Sequence, residues 1–69
     1  MFVVAKINFF DNELTQEIKD YTSLGAAYVY EATYIDNVID ADEGIDGIEY
    51  IKQRYFDANM MINILEVPG

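Results

Sequence analysis

Apolar and polar positions along the chain follow the period of strands first, then that of helices, and finally that of a strand again. Residues 2–10 are nearly continuous in apolar and β-favouring side chains, and residues 14–21 alternate. In the second segment Leu14, Gln16 and Ile18 stand opposite Thr15, Glu17 and Lys19. Asp11-Asn12-Glu13 between the two segments is a turn signal, so they are predicted to form a hairpin.

Two helices and a last strand are predicted after the hairpin. Ser23 is expected to cap the first helix, because its hydroxyl can accept from the free amides of a first turn. The apolar face of this helix holds Leu24, Ala27, Tyr28, Ala32, Ile35, Val38 and Ile39. Asp42 is expected to cap a second helix that runs to about Asp57, and residues 59–67 are β-rich. Val29, Tyr30 and Tyr34 would suit a strand as well as a helix.

The element order ββααβ predicts the α+β class, as one two-layer domain over residues 1–69 with two helices on one face of a three-stranded sheet. Residues 2–10 are apolar on both sides and are expected to form the central strand. Phe2, Val4 and Phe10 would then lie on a face left in water, which favours a homodimer or a docked partner. Ordinary burial at an edge is the alternative.

Two charges interrupt the predicted apolar helix faces. Glu31 falls within the face of the first helix and Lys52 within that of the second. If the helices pack side by side on the sheet, the simplest arrangement is an ion pair between these two residues. Desolvation offsets much of the attraction in such a buried pair, so the expected role is structural.

The charge of the chain limits which partners it can bind more sharply than it limits how the chain folds. The 69 residues hold 13 carboxylates and 4 basic side chains, a formal charge of -9, with no histidine and no cysteine. A negative field repels nucleic acid and anionic membranes and favours basic surfaces. No apolar run approaches the roughly 18 residues of a membrane span, and no signal-peptide pattern opens the chain. A cytoplasmic location is expected.

Catalytic and metal-binding patterns are missing from the sequence. Without histidine or cysteine, the usual Ser-His-Asp and Cys-His arrangements and thiolate metal sites cannot form. Residues 40–47 are acidic, but neither register that starts at Asp40 or Asp42 matches a calcium-binding loop, which needs a bidentate Glu at its twelfth position. We therefore predict no enzyme activity, no cofactor and no dedicated metal site. Weak cation binding is a further alternative.

Carboxylates recur at helical spacing in the second half of the chain. Like charges three or four residues apart mildly destabilise a helix, so their presence favours a use for them. The predicted partner-binding residues are the acids Asp36, Asp40, Asp42, Asp46, Glu49 and Asp57, with Tyr30, Tyr34 and Tyr50 as anchors. The alternative is that these acids only form a solvated face that keeps the domain soluble.

The size, the charge, the aromatic-rich ββααβ pattern and the acid series from Asp36 to Asp57 together resemble a known class of proteins. These are the small acidic inhibitors of bacteriophages and mobile elements, including anti-CRISPR, anti-restriction and host-takeover proteins. The opening Phe2-Val3-Val4-Ala5-Lys6-Ile7-Asn8-Phe9-Phe10-Asp11-Asn12 is similar to short phage reading frames. The resemblance implies a non-enzymatic inhibitor that covers the basic nucleic-acid groove of a host or defence enzyme. The alternative function is a homo-oligomeric structural or accessory domain.

Overall fold

The computed structural model describes residues 1–36 and 41–68 and confirms the predicted order of elements. The strands are β1 (Phe2–Asn8), β2 (Glu13–Lys19) and β3 (Met60–Glu66), and the helices are α1 (Leu24–Asp36) and α2 (Ile45–Asp57). The strands form an antiparallel sheet in the order β2-β1-β3, with both helices on one face. The α+β prediction with a central first strand is therefore confirmed. The predicted continuation of the first helix over residues 37–40 lies outside the described residues.

The first hairpin turns two residues earlier than the pattern predicts. The Asn8 side chain causes this, because its Oδ1 accepts hydrogen bonds from the amides of Phe10, at 3.0 Å, and Asp11, at 3.3 Å. Asn12 then adopts a left-handed backbone with φ of 53°, a conformation that asparagine tolerates better than most residues. Phe10 consequently lies in the turn, where it is 86% exposed.

Of the two predicted helix caps, one is confirmed and the other is wrong. Ser23 caps α1, and its Oγ accepts from the Ala26 amide at 3.0 Å. Asp42 does not cap α2. Its Oδ1 accepts from the Gly44 amide at 2.9 Å, and Gly44 is the N-cap residue, with no side-chain cap bond. Asp42 thus bonds to the backbone two residues ahead, as aspartate commonly does in turns.

The core lies between the helices and the β1–β3 half of the sheet. It consists of Phe2, Val4, Ala27, Tyr28, Ala32, Ile51, Tyr55, Ile62 and Ile64. The predicted water-exposed face is therefore wrong in two of its three members, since Phe2 is 3% and Val4 1% exposed. The alternation of β1 has two apolar faces, and the helices cover the face that carries Phe2 and Val4.

Two glycines let the start of each helix lie against the segment before α2. A Cβ on Gly47 would overlap the backbone carbonyl of Asp42, and one on Gly25 would overlap that of Glu43. The contact between Gly25 and Glu43 shows that α1 and α2 begin at the same end of the sheet. The acids at positions 42, 43 and 46 are therefore grouped at that end.

Candidate functional site

The acids of α2 form a stripe on the side of the helix that faces solvent. Asp46, Glu49 and Asp57 are exposed, and their spacing places them on one face, opposite the buried Ile51 and Tyr55. A rise of about 1.5 Å per residue spreads the stripe over roughly 16 Å of the helix axis. We call Asp46, Glu49 and Asp57 the α2 acidic stripe. Three of the predicted site acids thus share one rigid element.

The remaining predicted acids do not extend this stripe. Asp42 is exposed in the segment before α2, where its side chain is bonded to the Gly44 amide. Asp40 lies outside the described residues. Asp36 ends α1, and its side chain also lies outside what the structure describes.

Basic and neutral side chains interrupt the α2 acidic stripe. Lys52 Nζ lies 4.0 Å from a carboxylate oxygen of Glu49, and the Gln53 amide donates to Asp57 Oδ1 at 3.0 Å. Arg54 also lies on α2, in its last turn. The stripe is therefore acidic but bordered by cations, so a basic partner would compete with Lys52 for Glu49.

The three predicted tyrosine anchors fall on two different surfaces. Tyr50 is exposed on α2, where helical periodicity places it among the acids of the stripe. Tyr30 and Tyr34 are exposed on α1, with their hydroxyls 3.0 Å apart and their rings edge to face. Tyr30 also packs against Tyr21, with Lys19 over its ring. The Tyr30–Tyr34 pair thus belongs to the side of α1 nearest β2.

Negative charge also surrounds the rest of the described surface. The exposed carboxylates of the described residues are Asp11, Glu13, Glu17, Asp20, Asp42, Glu43, Asp46, Glu49, Asp57 and Glu66. They lie in the hairpin turn, on the helix-side face of the strands, at the helix starts and along α2. The concentration between residues 36 and 57 that the sequence suggests is therefore only part of a broader acidic surface.

One carboxylate is withdrawn from that surface and holds two of the four basic side chains. Glu31 on α1 is 0% exposed. Its Oε2 lies 2.9 Å from Lys6 Nζ, its Oε1 lies 3.0 Å from Lys19 Nζ, and Tyr21 donates its hydroxyl proton to the same Oε1. The predicted partner Lys52 instead contacts Glu49 and lies over the Tyr28 ring. The predicted Glu31–Lys52 pair is therefore wrong, because Glu31 faces the sheet rather than α2.

Glu31, Lys6, Lys19 and Tyr21 form a cluster whose own contacts hold it in one protonation state. Burial acts to raise the pKa of Glu31, but hydrogen bonds from Tyr21, Lys6 and Lys19 outweigh it and hold the pKa below its ordinary value. The hydrogen bond to Glu31 is the main cause that raises the pKa of Lys19. Burial, together with the bond to Glu31, raises the pKa of Tyr21. The Glu31 carboxylate thus stays ionised at neutral pH and serves structure.

The face of the sheet away from the helices is uncharged and largely apolar. Register places its nine residues in three rows across β2, β1 and β3: Ile18-Val3-Leu65, Gln16-Ala5-Asn63 and Leu14-Ile7-Met61. We call these nine residues the outer sheet face. Ile7, Leu14, Ile18, Met61 and Leu65 are each between 37% and 68% exposed. An exposed apolar face was predicted, but it lies on the opposite side of β1.

Sequence reasoning missed this face, although a signal for it was present. In β2 the apolar Leu14 and Ile18 alternate with the polar Thr15, Glu17 and Lys19. Reading β2 jointly with β1 would have matched Ile18 to Val3 and Leu14 to Ile7 on one side. That match requires the register of the hairpin, which depends on where the turn begins, and the Asn8 side chain determines this.

The described part of the chain contains neither a cluster of metal-ligating side chains nor a membrane-spanning helix. Among residues 1–36 and 41–68, no three acids lie close enough together to hold a metal ion. Neither described helix is long and apolar enough to cross a membrane.

Comparison of the chain with protein-family models, with curated proteins and with solved structures gave no match.

Proposed function

We propose that this protein is a non-enzymatic inhibitor that binds the basic surface of a nucleic-acid-handling protein, such as a CRISPR effector or another defence or host enzyme. Its setting would be the cytoplasm of an infected bacterium. One observation supports the proposal above others: the exposed surface keeps its carboxylates while Glu31 withdraws two of the four cations. Outside the outer sheet face, a partner meets ten exposed carboxylates of the described residues, with Lys52 and Arg54 as the cations on α2.

The α2 acidic stripe is the part of this surface that lies along one face of a single helix. Its three carboxylates lie three and eight residues apart, so a rise of about 1.5 Å per residue separates successive charges by about 4.5 Å and 12 Å along the helix axis. Duplex DNA carries one charge per about 1.7 Å, and a single strand one per about 3.4 Å. The stripe is therefore sparser than either. We therefore expect the stripe to be attracted to a basic groove, which the domain then blocks sterically, rather than to copy the phosphate backbone atom by atom.

Tyr50 is the anchor of the stripe in this proposal. It is exposed on the same helix, and tyrosines with the polar tip free are frequent hot spots of protein interfaces. Charge would steer the encounter and set its salt dependence, whereas Tyr50 would supply contact area at the centre. Loss of Tyr50 should thus change the dissociation rate, and loss of the acids the association rate.

Two triple variants of equal net charge test the proposal. In the first, Asp46, Glu49 and Asp57 are changed to lysine; in the control, Asp11, Glu13 and Asp20 are changed to lysine. Each tagged protein is used to capture proteins from a bacterial lysate, with duplex DNA as competitor, and circular dichroism confirms folding. We expect the wild type and the control to capture basic nucleic-acid-binding proteins that DNA displaces, and the α2 variant to lose them.

Two results would contradict the proposal. If both triple variants lose the captured proteins equally, net charge rather than the α2 acidic stripe makes the contact. If neither loses them, or if DNA does not displace them, the partner's nucleic-acid groove is not the target.

A further inference from the structure

The charged residues of the strands all lie on one face of the sheet. All the charged residues of the three strands point to the helix side: Lys6, Glu13, Glu17, Lys19 and Glu66. The nine residues of the outer sheet face carry no charge. A quarter of the chain is charged, so an uncharged surface of this size on the side without helices is a specific feature of the fold.

Strand β2 shows most clearly that this face is built for burial. The helices leave β2 largely uncovered, and residues 13–18 are exposed on both sides. An antiparallel strand normally turns its apolar residues to the covered side and its polar residues to water. Here Leu14 and Ile18 turn to the side that has no cover, at 58% and 68% exposure. The alternation of β2 therefore suits a second layer beneath the sheet.

We propose that a second copy of this chain packs on the outer sheet face and forms a symmetric dimer. Charge identifies the occupant. Two copies that each carry a net charge of -9 repel over most of their surfaces, and the outer sheet face is where they can approach without bringing carboxylates together. A basic partner would gain nothing from this face, since it offers no carboxylate to pair with.

The pattern of the face is complementary to itself. Its middle row has an amide at each end, Gln16 and Asn63, with the small Ala5 between them. Consider a two-fold axis that lies in the plane of the interface, next to Ala5. With this symmetry the middle row of one copy faces the middle row of the other. Amides then face amides, which can exchange hydrogen bonds, and the apolar rows face apolar rows. Ala5 leaves room for the two sheets to approach at the centre.

The size of the face is sufficient for a weak dimer. Three strands spaced by about 4.8 Å and seven residues long at about 3.3 Å each give a flat footprint of roughly 330 Å². Side chains roughen that surface, so a pair of copies would bury on the order of 1,000 Å² in total, which is below the roughly 1,200 Å² of stable interfaces and in the range of weak, transient ones. Strand directions in the two sheets should lie within about 30° of each other, as in other aligned sheet pairs.

The mass of the particle in solution, measured by sedimentation equilibrium over a range of protein concentrations, tests the proposal. We expect the wild type to approach twice the monomer mass of 7.9 kDa as concentration rises. Raising the salt from about 0.1 M to about 1 M shortens the Debye length from about 10 Å to 3 Å, which should strengthen this dimer by screening its repulsion. The complex proposed above should weaken under the same change, so the two proposals can fail separately.

Matched variants locate the contact. Ile18→Lys combined with Leu65→Lys places two charges on the outer sheet face, whereas Phe10→Lys combined with Ile45→Lys adds the same charges at exposed apolar sites elsewhere. All four side chains are exposed in the monomer, so both variants should fold, and circular dichroism checks this. We expect the first variant to be monomeric and the second to dimerise like the wild type. A wild type that stays monomeric, or a dimer that survives Ile18→Lys with Leu65→Lys, would overturn the proposal.

Discussion

The ammonium group of Lys6 lies 2.9 Å from Oε2 of the fully buried Glu31. Lys6 follows Phe2 and Val4 on the helix side of β1, at a position where a further apolar residue would extend the core. The ion pair instead fixes α1 over β1, and Lys19 ties the same carboxylate to β2. A single acid on α1 thus makes ion pairs with both β1 and β2.

Glu31→Gln is expected to lower the free energy of unfolding by about 3 kcal/mol, because removing one member of a buried ion pair leaves its partners uncompensated. That is a large share of the roughly 3–10 kcal/mol expected for a domain of this length. Urea unfolding followed by circular dichroism measures the change. Glu17→Gln is the control: Glu17 also contacts Lys19, at 3.0 Å, but it is exposed, so the loss should stay below about 1 kcal/mol.

The same cluster predicts a pH dependence. The pKa of Glu31 is lowered in the folded protein from an ordinary value of 4.5. Its contribution to stability is therefore fully present above pH 4.5 and is lost as the pH falls through the lower, folded-state pKa. The stability difference between wild type and Glu31→Gln should be constant near neutral pH and shrink below pH 4.5. A difference that stays constant down to the acid unfolding transition would show that Glu31 is not the titrating group.

Gly47→Ala is expected to destabilise the domain by at least about 2 kcal/mol, because the new Cβ would overlap the Asp42 carbonyl and α2 would have to move. Gly44→Ala is the matched control. A Cβ at Gly44 would meet only the Asp42 side chain, at 3.3 Å, and the backbone there has an ordinary φ of -72°. Thermal unfolding of the two variants compares them. Equal melting temperatures would contradict the packing of residue 42 against α2.

Removal of the buried Tyr28 hydroxyl and removal of the buried Tyr55 hydroxyl should have different effects on the free energy of unfolding. The Tyr28 hydroxyl accepts from the buried Ile64 amide at 3.1 Å, so Tyr28→Phe leaves that amide without a partner and should cost about 1–3 kcal/mol. The Tyr55 hydroxyl is buried and has no hydrogen-bond partner among the described residues, so Tyr55→Phe should be neutral or stabilising. Chemical denaturation measures both. A larger loss for Tyr55→Phe than for Tyr28→Phe would contradict this assignment.

Element order and the central position of β1 were predictable because each depends on local periodicity. The partner of Glu31 was not, since Glu31 could face either α2 or the sheet, and helical periodicity does not distinguish the two. The exposed face of β1 was not predictable from that strand alone either. Both of its faces are apolar, and only pairing with β2 shows that Leu14 and Ile18 share the side of Val3 and Ile7.

The acidic site was partly predictable for a similar reason. Helical spacing placed Asp46, Glu49 and Asp57 together correctly, because all three lie within α2. Tyr30 was predicted to anchor the same partner as these acids, whereas it lies on α1 and packs against Tyr21, in the segment before that helix. Spacing predicts neighbours within an element, but which elements adjoin is decided by tertiary packing.

Basic partners are proposed to contact the α2 acidic stripe and not the outer sheet face. Nuclear magnetic resonance of the isotope-labelled protein, titrated with deca-arginine as a basic probe, tests this proposal residue by residue. We predict shifts at the amides of Asp46, Glu49, Tyr50 and Asp57 that disappear at about 1 M salt, where screening shortens the Debye length to about 3 Å. The methyl signals of Leu14, Ile18 and Leu65 should not move. Shifts spread evenly over all the exposed carboxylates, or centred on the outer sheet face, would contradict the proposal.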